Sequence, residues 1–159
     1  MNQLLALLLW GSLSLAQGQP QPGTSPFVDV PPCHWARAAV EALSSPQSPV
    51  PQPSALLAEN ALRQVFEGLK CSDPIWSERF LQNPAPGFGR TAARLKNFEL
   101  GVIQTQVEGD QATIRFRLTA VLNGTTLQRS GSARLTFGEQ GWKVDYASLA
   151  NLNLPVFPR

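Results

Sequence analysis

The feature that most constrains the fold is the strict alternation of apolar and polar residues between positions 112 and 122. Successive side chains of a β-strand point to opposite faces, so this pattern indicates a strand with one buried face. The apolar side is formed by Ile114, Phe116, Leu118 and Ala120, and the polar side by Thr113, Arg115, Arg117 and Thr119. Turn signals at Gly109-Asp110, Asn123-Gly124 and residues 138–141 join this strand to three others in an antiparallel meander.

The turns fix a register for that meander. A two-residue turn at Asn123-Gly124 pairs Leu122 with Thr125, and a four-residue loop at 138–141 pairs Phe137 with Trp142. The further pairs that follow are Phe116 with Gly131, Ile114 with Ala133, Leu118 with Arg129, Leu135 with Val144, and Ala133 with Tyr146. The inner face is then largely apolar, which supports the register because a one-residue slip would invert every face. On the outer face Arg134 lies opposite Asp145, as in a cross-strand ion pair.

The first strand of the meander carries two apolar phases. Phe98, Leu100 and Val102 share one phase, whereas Ile103, Thr105 and Val107 share the other. A β-bulge near Gly101 would turn both sets inward. Without the bulge, Glu99 would face the interior.

Helices precede the sheet. Ser54 is a suitable N-cap for a helix whose apolar stripe runs from Leu57 to Leu69. Asp73 and Pro74 predict the start of another helix that continues to about Leu81. Residues 83–90 form a loop, because they include two Pro and two Gly.

This order of elements predicts an α+β fold, with two to three N-terminal helices packed on a four-stranded antiparallel meander. From residue 54 to residue 149 it resembles the nuclear-transport-factor-2-like (NTF2-like, cystatin-related) architecture. The resemblance rests on element order and length, and it implies helices over the concave face of the sheet with a pocket between them. The alternative is another domain built from helices and a meander.

Small residues on the predicted inner face indicate such a hollow; they are Gly101, Ala120, Gly131 and Ala133. Arg129 and Tyr146 would line it and are the candidate ligand-binding residues, although an arginine beside a turn also commonly reaches water. No carboxylate is well placed for acid–base chemistry, because Asp145 is out of phase with the inner face. We therefore predict no catalytic residue and no enzyme.

Residues 4–16 form an uncharged apolar run that ends in small side chains. A run of this length fits a signal peptide and is too short to span a bilayer. Cleavage is predicted after Ala16 or after Gly18; the alternative is a short N-terminal core helix. Residues 17–53 form a Pro/Gln/Ser-rich segment and residues 54–159 the α+β domain. The formal charge of +2 gives no support for binding nucleic acid, and no second apolar segment would span a membrane.

One island interrupts the Pro-rich segment. Residues 27–43, FVDVPPCHWARAAVEAL, resemble the opening of a surface-layer-homology (SLH) module. The resemblance implies contact with a cell-wall polymer through Asp29 and Trp35, but the Thr-Arg run of the family's second helix is replaced by Ser54-Ala55. The alternative is that the apolar residues of the island dock it onto the main domain. His34 is interpreted as a structural residue of the motif.

Cys33 and Cys71 are the two cysteines of the chain and are predicted to form a disulfide; the alternative is two buried free thiols. With one histidine they fall short of a zinc site, so no metal or cofactor is expected. The sequence thus predicts an exported protein of the periplasm, cell envelope or extracellular space. Its role would be non-enzymatic and envelope-associated, with a cell-wall polymer as possible partner. The alternative is a pocket domain that binds or transforms a small molecule.

Overall fold

The computed structural model describes Cys33, residues 53–90 and residues 94–159. The chain divides into two units, and the fold below is that of the second, Leu43–Arg159. The predicted signal peptide, most of the Pro/Gln/Ser-rich segment, and Asp29, His34 and Trp35 of the SLH-like island lie outside the described residues. Within the described part, no helix has the length and apolar character required to cross a membrane.

Helix α1, Ala55–Lys70, begins where the sequence predicts it. The Ser54 hydroxyl accepts a hydrogen bond from the Leu57 amide at 3.2 Å, which satisfies one of the free donors of the first turn. The face toward the sheet is fully buried and contains Ala58, Ala61, Leu62, Val65 and Phe66. The helix ends before Ser72, which has a positive φ of 56°.

Helix α2, Pro74–Glu78, is capped by Asp73, whose carboxylate accepts from the Trp76 amide at 3.1 Å. It packs against α1 through Ser77, whose hydroxyl donates to the Val65 carbonyl at 2.7 Å. The two helices approach so closely here that a Cβ at Gly68 would lie 2.8 Å from the Ser77 backbone nitrogen. A glycine is therefore required at this point of α1.

Five strands form one sheet in the order β1-β5-β4-β3-β2. They are β1 Leu81–Gln82, β2 Leu95–Glu108, β3 Gln111–Leu122, β4 Thr125–Gly138 and β5 Gly141–Asp145. Strand β1 is parallel to β5, and all the other pairs are antiparallel. The described residues are thus a mixed α+β fold.

The fifth strand corrects the prediction of four, and helix α2 is shorter than predicted. The chain leaves the helix after Glu78, and the Phe80 carbonyl accepts from the Val144 amide at 2.7 Å. That hydrogen bond extends the backbone alongside β5, so Leu81 enters the core from a strand and not from the end of a helix.

The predicted register of the meander is confirmed in the β3–β4 pair and in the β4–β5 hairpin. The predicted pairing of Ala133 with Tyr146 is wrong. Strand β5 ends at Asp145, whose carboxylate accepts from the Ala147 amide at 3.3 Å and caps helix α3, Tyr146–Ala150. Tyr146 is therefore the first residue of a helix.

Strand β2 contains the predicted type of irregularity at a slightly different place. The register shifts between Val102 and Gln104, so the extra residue is Ile103, which is 55% exposed. The bulge turns Thr105 and Val107 inward together with the earlier apolar phase. Ile103 itself does not face inward, and Glu99 lies on the solvent side.

The C-terminal segment, residues 151–159, contains no strand or helix but belongs to the core. Its buried side chains are Leu152, Leu154, Val156 and Phe157. The Phe157 ring lies between Phe66 and Phe88, with centroid distances of 5.7 and 6.2 Å. Burying each such side chain stabilises the fold by roughly 1.5–3 kcal/mol, so this segment contributes substantially to the core.

Candidate functional site

The inner face of the sheet is the place where the sequence predicts a ligand-binding hollow. The structure places Leu152 of the C-terminal segment against Gly131 at the centre of this face, 2.5 Å from the position of a Cβ on that glycine. Ala120 and Ala133 are also buried there. Gly131 therefore makes room for the protein's own C-terminal segment on the inner face.

Gly101 does not belong to this face, which corrects the prediction. It pairs with Arg117 on the solvent side and is itself exposed, because the bulge follows it at Ile103. The alternation of β2 before the bulge turns Leu100 and Val102 inward and leaves Gly101 outward.

The two candidate ligand-binding residues both contact the C-terminal segment. Arg129 Nε donates to the Leu152 carbonyl at 3.2 Å, and Arg129 Nη1 donates to the Gln128 carbonyl at 2.9 Å. The Tyr146 hydroxyl donates to the Pro158 carbonyl at 2.6 Å. The structure thus joins these two side chains to one segment, and their role toward a ligand stays a prediction.

Burial raises the pKa of the Tyr146 phenol above its ordinary value of 10.0. The phenol is therefore protonated at neutral pH and acts as a donor. Its ring packs edge-on against Phe88 and Phe157, at centroid distances of 5.6 and 6.1 Å. Tyr146 therefore links helix α3 to the C-terminal segment.

Trp142 is the inner-face residue whose polar atom is not accounted for. Its indole is 4% exposed and packs against Phe137 at a centroid distance of 5.3 Å. The Nε1 atom is buried and has no hydrogen-bond partner in the described part of the chain. Because nearly all buried donors are satisfied, an orphaned one calls for an explanation.

The outer face of the sheet is polar, and no described element packs over its centre. On β3 the outward residues include Thr113, Arg115 and Arg117, and on β4 they include Ser130 and Ser132. Cross-strand pairs place Arg117 beside Ser130 and Arg115 beside Ser132. The arginines therefore stand among short hydroxyl side chains.

An open depression of about 320 Å³ lies at one end of this face. Outward-facing Thr136 and Lys143, which pair across β4 and β5, contribute to its lining. The other lining residues are Gln82 of β1 and the turn formed by Gly138, Glu139, Gln140 and Gly141. Gln82 could not be recognised from the sequence, because a two-residue strand has no periodicity that could reveal it.

Arg134 and Asp145 form the predicted ion pair on the outer face, with 2.7 Å between Arg134 Nη2 and Asp145 Oδ2. In contrast, Arg115 Nη1 meets only the neutral Gln104 Oε1, at 3.5 Å, and Arg117 has no ion-pair partner among the described residues. Two cations of this face therefore remain without a described counter-charge.

The two cysteines behave as the sequence predicts: Cys33 and Cys71 form a disulfide. Within residues 53–90 and 94–159, together with Cys33, no group of three or more His, Cys, Asp or Glu residues is arranged to hold a metal ion.

No family of known proteins matches this chain, and no curated protein matches it. Among solved structures, it is similar to an NTF2-like superfamily protein from Salmonella enterica subsp. enterica serovar Typhimurium str. LT2. The identity is 16%, the TM-score is 0.40, and the match covers 58% of this chain and 88% of the other. A similarity with this identity and TM-score supports no conclusion about function.

Proposed function

We propose that this protein is exported and acts outside the cytoplasm as a non-enzymatic, envelope-associated binding protein. The Cys33–Cys71 disulfide is the observation that carries the proposal. Stable disulfides are typical of oxidising compartments and rare in the cytosol. The apolar run at residues 4–16 supplies the matching export signal.

Because the inner face is filled, we favour binding at an exposed surface over catalysis in an enclosed pocket. Leu152 fills the space over Gly131, and the hydroxyl of Tyr146 is held by the Pro158 carbonyl. The polar outer face, in contrast, is open in the described part of the chain.

Export is tested by expressing the full chain and a Leu8→Arg variant, in which a charge interrupts the apolar run. The expected result is a wild-type chain outside the cytoplasm, shortened by about 16 to 18 residues by mass spectrometry, with both cysteines resistant to alkylation. The variant should keep its N-terminus and remain inside the cell. A wild-type chain that stays intact in the cytosol with two reactive thiols would overturn the proposal.

Envelope association is tested separately by sedimentation with purified cell wall. If the SLH-like segment supplies the anchor, Trp35→Ala should lose retention while Trp35→Phe, which keeps an aromatic ring, retains most of it. Equal retention of wild type and Trp35→Ala would exclude Trp35 as the anchor.

A second candidate function is supported by the buried, unpartnered Nε1 of Trp142. A domain that binds a small molecule between helices and sheet would direct such a donor toward a ligand acceptor. Native mass spectrometry of the protein purified from its source would then show a bound mass that Trp142→Phe loses. A wild-type mass equal to that of the mature polypeptide would count against this second function.

A further inference from the structure

The outer face of the sheet carries unbalanced positive charge at its centre. Arg115 and Arg117 have no described carboxylate within ion-pair distance, whereas Arg134, on the neighbouring strand, is neutralised by Asp145. The acidic residues of β2 that share this face, Glu99 and Glu108, stand in other rows, opposite Thr119 and Gln111. The residues that pair with Arg115 and Arg117 across the sheet are therefore uncharged, and the centre of this face is cationic.

The cross-strand neighbours of Arg115 and Arg117 leave the two guanidinium groups exposed. Arg117 lies between Gly101 on β2 and Ser130 on β4, both of which are too small to cover it. Arg115 lies between Gln104 and Ser132. Residues two apart on a strand stand ~6.8 Å apart along it, so the charges form a short line flanked by hydroxyl groups.

From this arrangement we propose that the outer face binds an extended anionic polysaccharide that runs along β3 and β4. Its carboxylate or phosphate groups meet Arg115 and Arg117, whose planar guanidinium groups bind such anions through paired hydrogen bonds. Its sugar hydroxyls meet Ser130 and Ser132. The polymer continues toward the depression, whose lining contains the cation of Lys143 and the carboxylate of Glu139, so the anion contacts are assigned to Arg115 and Arg117 and not to the depression.

The composition of the face favours a polysaccharide over other anionic partners. Outward residues between positions 113 and 119 of β3 and between 128 and 136 of β4 are arginine, threonine, serine and glutamine. They provide no apolar anchor for a lipid surface, and the exposed Ile103 of the adjoining β2 is a single apolar side chain, too little for membrane insertion. A formal net charge of +2 is small for a nucleic-acid-binding protein, and an exported protein rarely meets nucleic acid. This choice of partner rests on the export and envelope association proposed above.

The experiment measures binding of the folded, disulfide-bonded protein to four defined polymers at low and high salt. They are polygalacturonate, a phosphomannan (a polysaccharide that carries phosphate groups), neutral dextran and single-stranded DNA. The variant is Arg115→Gln with Arg117→Gln, and the matched control is Arg90→Gln with Arg94→Gln, which removes the same charge from exposed positions outside these strands. Circular dichroism verifies that both variants are folded.

We expect the wild type and the control to bind the acidic polysaccharides in a salt-dependent manner and to ignore dextran. The Arg115/Arg117 variant should bind at least tenfold more weakly. Preference for polygalacturonate or for the phosphate polymer identifies which anion is recognised. Equal loss in both variants, tighter binding to DNA, or no binding to either acidic polymer would overturn the proposal.

The outcome can be separated from that of the export proposal. If the chain proves cytosolic, the export proposal fails, while the affinity of the purified protein still reports on the outer face. If the Arg115/Arg117 variant is exported and oxidised normally but binds acidic polymers as the wild type does, only the inference about the outer face fails.

Discussion

Gly131 and Leu152 lie so close that a side chain added to the glycine would displace the leucine side chain. A Cβ on Gly131 would be 2.5 Å from Leu152 Cδ2 and 3.7 Å from Phe116 Cζ. This contact brings the C-terminal segment onto the inner face of the sheet. It explains why a hollow predicted from small residues is occupied by the chain itself.

Gly131→Ala should destabilise the fold by about 1 kcal/mol, at the lower end of overpacking costs, because the added methyl group displaces only the terminal Cδ2 of Leu152. Gly138→Ala is the matched control: it lies on the same strand, and a Cβ there would meet nothing within 4 Å. Denaturant unfolding of both variants measures the difference. Equal stability of the two variants would contradict the tight packing of Leu152 on Gly131.

Phe157→Ala should cost about 3–5 kcal/mol, the usual range for truncating a fully buried aromatic residue. The ring packs against Phe66, Phe88 and Tyr146, so its removal leaves a cavity at the centre of the core. Ile75→Ala, at a side chain that is 74% exposed, serves as the control and should change stability little. A small effect of Phe157→Ala in thermal and chemical unfolding would contradict this packing of the aromatic rings.

The behaviour at alkaline pH should report the state of Tyr146. Its folded-state pKa is raised by burial, so the folded chain holds the phenol proton more tightly than the unfolded chain does. This contribution to stability is complete below about pH 10 and is lost as the pH rises through the folded-state pKa. Because the chain contains a single tyrosine, the ultraviolet absorbance of the phenolate follows this group alone.

The expected titration midpoint is above 10.0 in the native protein and falls to the ordinary value in denaturant. Tyr146→Phe should remove this alkaline loss of stability. At neutral pH it should cost about 1 kcal/mol, because the hydrogen bond to the Pro158 carbonyl disappears. A native midpoint at or below the denatured one would show an exposed phenol.

Reduction of the Cys33–Cys71 disulfide should lower the free energy of unfolding by up to about 3–4 kcal/mol, because the bond closes a loop of roughly 38 residues in the unfolded chain. The measurement compares denaturant unfolding with and without reductant. The control is the variant with serine at both positions, which should match the reduced protein and ignore the reductant. Two free thiols in denatured, unreduced protein from the exported fraction would contradict the bond.

How far the sequence could predict this structure depends on whether each element is specified locally. The β3–β4 register follows from the alternation around Phe116 and from the Asn123-Gly124 turn, and the structure reproduces it. The parallel pairing of Leu81 with Val144 is non-local and involves two residues, so no local pattern reveals it. The Ile103 bulge lies two residues from its predicted place. A bulge at either position turns Thr105 and Val107 inward together with the earlier apolar phase, and only the placement of Ile103 differs.

The candidate sites differ in the same way. The expected register places Arg129 and Tyr146 on the inner face, and the structure joins them to residues 151–159. That segment is irregular, so the apolar residues that fill the inner face have no period from which their packing could be predicted. The outer face follows directly from strand alternation, and for that reason the positions of Arg115 and Arg117 could be predicted from the sequence.

Asp145 and Arg134 allow a final test, because the ion pair they form is only one of two roles of the aspartate. Arg134→Gln should change stability by less than about 1 kcal/mol, since the pair is largely exposed, with 64% of the arginine side chain accessible. Asp145→Ala should cost more, about 1–2 kcal/mol, because Oδ1 also accepts from the Ala147 amide and caps helix α3. Asp145→Asn, which can still cap the helix, should recover most of that loss. If the arginine and aspartate variants were equally destabilised in urea, the ion pair and not the cap would account for the role of Asp145.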